Sequence, residues 1–561
     1  MSNFLFATKA MLKDKRPIVQ SKAGNFCGFE AYGNIHFAID GTLFNEAELL
    51  EQTQTTTLPE AIYCGWQKWG EDLVSHMRGA FAFALFDESI FYFAKDALGL
   101  HPLYYGMKDG FFCGSDINQL YEMGLFEPVV DRDGLTQLFA IGPAMDEHQT
   151  LYRDVRMPAM GEYGVYQLKS GQVEMHVYYE LRACRHEDTF EQTVQKVRDL
   201  ITASIHEQLP YVQGSLLSGG LDSSILCAVG AKQEGFRTYA LDYEGNSEHF
   251  VGNTFQVSLD AHYIDLMVKR FGFPHQLFTI SQQTLCDEVA SACLKRGFPG
   301  MADVDASMLW LFQRIKEDGV HAVFSGECSD EAFCGYPWEY REELQCDTFP
   351  WTRYSMDRVR LLHEDLKDLP LAEYAKKRYD QTVAKVQRLA EDSEADYRAR
   401  VHTMLVVHWF MQTLTVRQAT MSDGAGLRVF APFADPRIFD YAYNIPWTMK
   451  FADGEEKGIL RKAFAEALPD AILHRKKNPY PKTHHPHYAK LIAAKLKEAC
   501  ADPDSVLHQL FDAQKLHALI ESGGESYQQP WYGQLMSGPQ LLAYLYQIHV
   551  WANHYQVRIE K

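Results

Sequence analysis

Several features that a chain of 561 residues can carry are missing from this one. Its 11 cysteines form no Cys-x-x-Cys pair, so neither a zinc ribbon nor a disulfide framework is indicated. No apolar run approaches the ~20 residues of a membrane-spanning helix, and the first residues hold no apolar signal-peptide core. No block of Lys and Arg interrupts a net charge of −20, which argues against nucleic acid as the main partner. Internal repeats and low-complexity tracts are absent too. These absences lead us to expect a soluble, reduced, cytoplasmic protein with neither a nucleic-acid nor a membrane partner.

What is present is apolar and aromatic. Hydrophobic residues make up 46% and aromatic residues 13%, ample for packed cores. At ~100–200 residues per domain, the length predicts two to four domains. The first ~180 residues carry short aromatic and β-branched runs between turn residues. Phe26 to Phe29, Ile35 to Ile39, Ala80 to Phe86, Ile90 to Ala94, Leu103 to Tyr105 and Phe111 to Cys113 read as strands. Glu60 to Trp69 and Asp116 to Glu122 read as helices. The result is an α+β layered domain of mostly antiparallel sheets. A polar stretch, Arg182 to Asp188, then leads to a helix with Val194, Val197, Leu200, Ile201 and Ile205 on one face. Beyond it the pattern becomes strand (Thr238 to Tyr243), helix (Ala306 to Lys316), strand (Val320 to Ser325), as in a parallel sheet with crossover helices. After about Pro350 the chain reads as almost wholly helical, as in Leu371 to Glu391 and Tyr397 to Thr415.

One stretch organises the rest: Leu216-Leu217-Ser218-Gly219-Gly220-Leu221-Asp222-Ser223-Ser224. A strand from Tyr211 to Leu217 leads in, and a helical run from Ile225 to Val229 leads out. Two glycines permit a sharp turn and a close ligand. The helix that follows aims free N–H groups and its positive end at the turn, a setting for a polyphosphate. Ser218, Ser223 and Ser224 can donate to phosphate oxygens, and Asp222 can hold Mg²⁺. No lysine follows the second glycine, so this is not a Walker A loop. The plainer alternative is a Gly/Ser-rich turn. The order of strand, double glycine, acid and paired serines instead resembles the pyrophosphate loop of N-type ATP pyrophosphatases.

Further motifs extend that resemblance along nearly the whole chain. Trp69-Gly70-Glu71-Asp72, Gly79-Ala80-Phe81-Ala82-Phe83-Ala84 and Asp96 to Tyr105 are similar to the N-terminal half of asparagine synthetases. Ser218 to Ser224, Ser325-Gly326-Glu327-Cys328-Ser329-Asp330-Glu331 and Arg475-Lys476-Lys477 are similar to the C-terminal half. The resemblance implies a glutamine amidotransferase-like, Ntn-hydrolase-like α+β sandwich over residues 1–182. An α/β parallel-sheet ATP pyrophosphatase domain with a largely helical C-terminal part follows over 190–561. The implied reaction is ATP-dependent: a carboxylate of a small molecule or peptide is adenylated, pyrophosphate leaves, and the acyl group passes to ammonia or an amine. Aspartate, or an aspartyl or glutamyl side chain, is the carboxylate expected. ATP and Mg²⁺ are the cofactors implied, and a homodimer is compatible.

The resemblance assigns Asp222 and Asp330 to the metal. It assigns Ser218, Gly219, Gly220, Asp222, Ser223, Ser224, Leu241, Ser325, Gly326 and Lys457 to ATP. The second acidic motif follows a predicted strand, at the sheet edge where open α/β sheets bind ligands. Glu327 is placed there to accept a proton from an incoming amine. A solvated acidic loop is the alternative. Lys477, third in its triplet, can stabilise charge developing around an acyl-adenylate. A basic surface loop is the plainer alternative, with Lys476 the rival lysine. The run Pro479-Tyr480-Pro481-Lys482-Thr483-His484-His485-Pro486-His487 is broken by prolines and reads as a rigid loop over the substrate rather than a metal site.

The N-terminal half departs from the family. The family's glutaminase nucleophile is a cysteine at the processed N-terminus, whose α-amine acts as base. This sequence opens Met1-Ser2-Asn3-Phe4, and the family's glutamine-holding Arg-Gly-Pro-Asp is absent. Asp40-Gly41-Thr42-Leu43-Phe44-Asn45 stands where the family has Asn-Gly-Glu-Ile-Tyr-Asn, and an aspartate there offers no oxyanion donor. Cys27-Gly28-Phe29 imitates the family's start, yet reads as part of a strand. An inactive glutaminase is therefore expected, as in the lasso-peptide cyclases and β-lactam synthetases. Thr415 to Ser422 also lacks the aspartate expected before its Met-Ser pair, so an intramolecular cyclase stays open as the alternative enzyme. A nucleotide-binding protein without catalysis is the alternative of another class, against which intact Asp222, Glu327, Asp330 and Lys477 argue.

Overall fold

The computed structural model describes residues 3–8, 19–20, 24–108, 110–250, 252, 258–533 and 536–561. The chain divides into two compact units, one of Met1–Leu135, Met145–Glu180 and Tyr555–Glu560, the other of Thr136–Ala144, Leu181–His554 and Lys561.

The first unit is built on two antiparallel sheets. The larger has six strands in the order Gln172–Val177, Glu162–Gln167, Ile90–Lys95, Gly79–Phe86, Ile35–Leu43 and Glu30–Tyr32. The smaller runs Val19–Gln20, Gly24–Cys27, Leu5–Thr8, Phe112–Gly114 and Tyr104–Gly106. Gly79–Phe86 shows why the layers form, because alternate residues of a strand face opposite sides. Ala82, Ala84 and Phe86 join a cluster with Phe6 and Cys113 of the smaller sheet and with Phe4 and Phe111 next to its strands. Phe81, Phe83 and Leu85 join the opposite cluster with Ala61, Ile62 and Trp66 of the helix Leu58–Trp69. Each large apolar side chain so buried contributes ~1.5–3 kcal/mol. The expected strand from Phe26 ends at Cys27, because Gly28 takes a left-handed φ of +76°. A strand at Leu5–Thr8 and a hairpin from Glu162 to Val177 were not foreseen.

The second unit is organised by a five-stranded parallel sheet. Its strands are β1 (Gly214–Leu216), β2 (Arg237–Tyr243), β3 (His275–Ile280), β4 (Ala322–Phe324) and β5 (Arg428–Phe430), in the order β3-β2-β1-β4-β5. All four pairings are parallel, as the alternation of strand and helix predicts. Helices α1 (Leu221–Gly230), α2 (Ala261–Phe271), α3 (Gln282–Arg296), α4 (Asp303–Glu317), α5 (Ser329–Phe333), α6 (Met411–Ala425) and α7 (Gly458–Ala463) flank it and carry the site. Two details of the reading are corrected. Leu209–Tyr211 is a 3₁₀ turn rather than the start of β1, since Pro210 fixes a helical φ in its first turn. The region after Pro350 also contains β5, which three residues of edge pairing create and no alternation announces.

The segment 136–144 belongs to the second unit because a buried arginine captures it. Arg358 donates to the carbonyl oxygen of Phe139 at 2.7 Å, and Thr352 Oγ1 donates to that of Ala140 at 2.9 Å. Among the described residues no helix is long and apolar enough to cross a membrane.

Candidate active site

The carboxyl ends of β1, β2 and β4 open into a cleft of about 250 Å³ within the second unit. At the turn after β1, Gly219 takes φ +68°, and a Cβ there would meet Tyr263 Cβ at 2.5 Å. The turn therefore requires glycine. It is tied to itself by hydroxyls: Ser218 N–H donates to Ser223 Oγ at 3.2 Å, and the Ser218 and Ser223 hydroxyls lie 3.1 Å apart. Ser218, Gly220, Asp222 and Ser223 line the cleft, as do Leu241, Ser325, Gly326, Glu327, Asp330, Lys457 and Lys477. Two residues of the turn are placed otherwise. Gly219 turns its backbone toward α2, and Ser224 is fully buried (0% exposed) in the first turn of α1. Helical periodicity decides this: Asp222 and Ser223 face the cleft, so the next residue rotates into the core.

Three cations and three carboxylates meet at the polar end. Lys457 Nζ lies 2.7 and 2.8 Å from the two carboxylate oxygens of Asp222 and 2.6 Å from Asp330 Oδ1. Lys477 Nζ donates to the other oxygen of Asp330, and Ser329 Oγ donates to Asp222 Oδ1 at 2.7 Å. Arg417 of α6 donates to Glu327 Oε1 at 2.7 Å. Burial alone raises a carboxyl pKa, but the ammonium groups of Lys457 and Lys477 hold Asp330 down at about 2. Lys477, despite burial, is pushed above the ordinary lysine value by Asp330 and Asp222. Glu331 goes the other way: burial, with Asp330 and Glu327 adding to it, raises its pKa to about 7. Tyr336 donates its hydroxyl to Glu331 at 2.7 Å.

The backbone bends sharply around this cluster. Cys328 (φ +72°), Cys334 (φ +56°) and Lys457 (φ +56°) are all left-handed without being glycine. Such conformations cost of order 1–3 kcal/mol each and gather where a site is over-determined. Gly335 is equally constrained, since a Cβ would fall 2.0 Å from Asp330 Oδ1 and 2.5 Å from Lys457 Cε.

Within the triplet, Lys476 is exposed, whereas Arg475 is buried and Lys477 reaches Asp330. The segment is pinned by a buried pair. Arg461 of α7 donates to Glu456 Oε1 at 2.8 Å and to the carbonyl of Arg475 at 3.2 Å, and Glu456 Oε1 accepts the Lys477 N–H at 3.1 Å. The proline-interrupted run that follows contributes Pro479, Tyr480 and Pro481 to the cleft wall. Tyr243 OH donates to the Pro481 carbonyl at 2.8 Å, and Thr483 Oγ1 to Gln282 Oε1 at 2.8 Å. Among the described residues no group of three or more His, Cys, Asp or Glu is arranged to hold a metal ion.

Arg417, Glu456 and Gly335 escaped the sequence reading. Arg417 lies within the Thr415 to Ser422 stretch noted for its missing aspartate, where its buried place on α6 gives no local signal. Glu456 adjoins Lys457. A lone glycine such as Gly335 is indistinguishable from a turn glycine until Asp330 is placed beside it.

A parallel sheet whose double-glycine turn faces paired carboxylates, carried in one chain with a layered antiparallel unit, defines an amidotransferase-type ligase. Residues 5–179 match the family model for a glutamine amidotransferase domain, and residues 196–552 match that for asparagine synthase. Asparagine synthetase [glutamine-hydrolyzing] 3 of Bacillus subtilis (strain 168) is 39% identical over 544 residues, 93% of this chain and 88% of the relative. Asparagine synthetase [glutamine-hydrolyzing] 1 of the same organism is 25% identical over 492 residues, 79% of this chain and 75% of the relative. Asparagine synthetase B [glutamine-hydrolyzing] of Escherichia coli (strain K12) is 25% identical over 475 residues, 79% and 69% of the two chains. The chain belongs to the asparagine synthase family, whose members are ATP-dependent ligases that form C–N bonds.

Proposed function

We propose that the second unit adenylates a carboxylate with ATP, releases pyrophosphate, and passes the acyl group to ammonia or an amine. The carboxylate is aspartate or an aspartyl or glutamyl side chain. The observation that carries this reading is the convergence of Asp222, Asp330, Lys457, Lys477 and Glu327 on one cleft beside the double-glycine turn. The turn and the start of α1 take the polyphosphate. Leu217, Leu241 and Ile264 supply apolar wall for a base. Asp222 and Asp330 suit Mg²⁺, because their oxygens converge on a single ammonium nitrogen and hard oxygens are what that ion selects. Bound there, Mg²⁺ neutralises polyphosphate charge.

The substrate carboxylate oxygen attacks the α-phosphorus and pyrophosphate leaves. Lys457 and Lys477 place fixed positive charge where negative charge grows. The amine nitrogen then attacks the acyl carbon, AMP departs, and Glu327 takes the proton, its carboxylate oriented by Arg417. In the first unit Asp40 is 1% exposed and its Oδ1 accepts no hydrogen bond among the described residues. A carboxylate there supplies no oxyanion donor. Cys27, an internal residue, has no free α-amine. We therefore assign the first unit no glutamine hydrolysis. The decisive experiment is release of pyrophosphate from MgATP with aspartate and ammonium, then with peptide carboxylates. Formation of ADP and orthophosphate instead would overturn the reading.

A further inference from the structure

We propose that Arg475 is a positioning residue for the nucleotide turn, so that the first residue of the basic triplet governs ATP affinity as the third governs chemistry. This rests on the ATP reading above. The Arg475 side chain is 2% exposed although it carries a full charge, and its partners lie in three directions. One guanidinium nitrogen donates to the carbonyl oxygen of Ser218 at 2.8 Å, at the residue that opens the turn. Another donates to Asp260 Oδ1 at the start of α2. Its planar face lies 4.0 Å from the ring centroid of Tyr263, in the first turn of α2.

These contacts meet at one place. Tyr263 and Ile264 are the groups against which Gly219 is pressed, so the backbone of the turn is backed by the part of α2 that Arg475 clamps. Asn478 adds a second tie, its amide donating to the Ser258 carbonyl at 2.6 Å. The arginine itself is anchored from behind, its carbonyl accepting from both terminal nitrogens of Arg461 at 3.2 Å.

Only arginine serves here. A planar fork can bond in two directions and stack at once, whereas a lysine ammonium is a point charge without a stacking face. Arg475 holds the Ser218 carbonyl, and the Ser218 and Gly220 N–H groups are tied to the Ser223 and Ser218 hydroxyls. The turn is thus fixed, and the N–H groups at the start of α1 are the ones left for the phosphates. An unclamped turn must be ordered by the nucleotide itself, which weakens binding.

The test is isothermal titration of the full-length protein with MgATP, with KM and kcat from pyrophosphate release and Tm without nucleotide. Arg475→Gln is expected to weaken ATP binding ~10–100-fold, the loss of charge-assisted hydrogen bonds. The effect on kcat at saturating ATP should be small, and KM for the carboxylate unchanged. Arg475→Lys should fall between. A merely structural arginine would lower Tm and active fraction without separating ATP affinity from kcat. Wild-type ATP affinity in a folded Arg475→Gln protein overturns the proposal. If that variant does not fold, Tyr263→Leu removes the stacking face alone, and it must weaken ATP binding in the same sense or the proposal fails. A wild-type protein that binds no MgATP overturns the ATP reading itself, an outcome distinct from a variant that binds as wild type does.

Discussion

Two buried aspartates, one in each unit, sit in contrasting surroundings. Asp330 lies between Lys457 and Lys477, and its charge is held in place by both. Asp40 sits at the strand position where the amidotransferase resemblance calls for an amide donor, and one of its oxygens accepts no hydrogen bond among the described residues. A buried charge is expensive unless it is paired. Around Asp330 the chain has built the pairing, including left-handed residues and Gly335, which a Cβ would ruin. Around Asp40 no such pairing is present among the described residues. The difference teaches what holds each place together: compensating charges in the second unit, and apolar packing about Gly79–Phe86 in the first.

That contrast is most directly broken at the acidic pair. Asp222→Ala should abolish pyrophosphate release while far-ultraviolet circular dichroism stays unchanged. Appreciable turnover would remove Asp222 from the metal. Next in size is Glu327→Gln, expected to lower kcat by ~10²–10⁴ with ATP affinity retained, as for loss of a general base. A fall in ATP affinity with kcat intact would instead make Glu327 a binding group.

Lys477→Ala should cost about 10²–10³ in kcat, the worth of one electrostatic stabiliser. Exposed Lys476→Ala should be mild, and if it proves the more damaging, the assignment within the triplet is off by one residue. Gly335→Ala sharpens the comparison from the backbone side. Its Cβ must displace Asp330 or Lys457, so it should lower both Tm and kcat, whereas at Gly235, which has open space but a left-handed φ of +73°, the same change should lower Tm alone and leave kcat unchanged. The smallest effect is expected at Cys27, whose thiol meets only the Gln119 amide, at 3.6 Å, among the hydrogen bonds described. Cys27→Ala should leave ammonium-dependent activity unchanged. Glutamate release from glutamine, lost on that substitution, would show the first unit to be alive.

Local pattern alone was enough to read the layered antiparallel start and the parallel sheet after it. Period-two alternation in Gly79–Phe86 and the strand, glycine and helix order at 214–230 are encoded within a few residues. The same holds for the acidic and basic motifs, since a motif's chemistry lies in residue types at fixed spacing. Three things were decided only by tertiary structure. One is which face of α1 the serines take, which sends Ser223 to the cleft and Ser224 to the core. Another is the exchange of 136–144 and 555–560 between units, made by a buried Arg358 and by parallel pairing of Val129–Val130 with Arg558–Ile559. The last is the pairing of Glu327 with Arg417, 90 residues apart in sequence, and of Asp222 with Lys457, 235 apart. Such pairs leave no mark on local periodicity. They form because a charge taken out of water must find its counter-charge wherever the fold brings one.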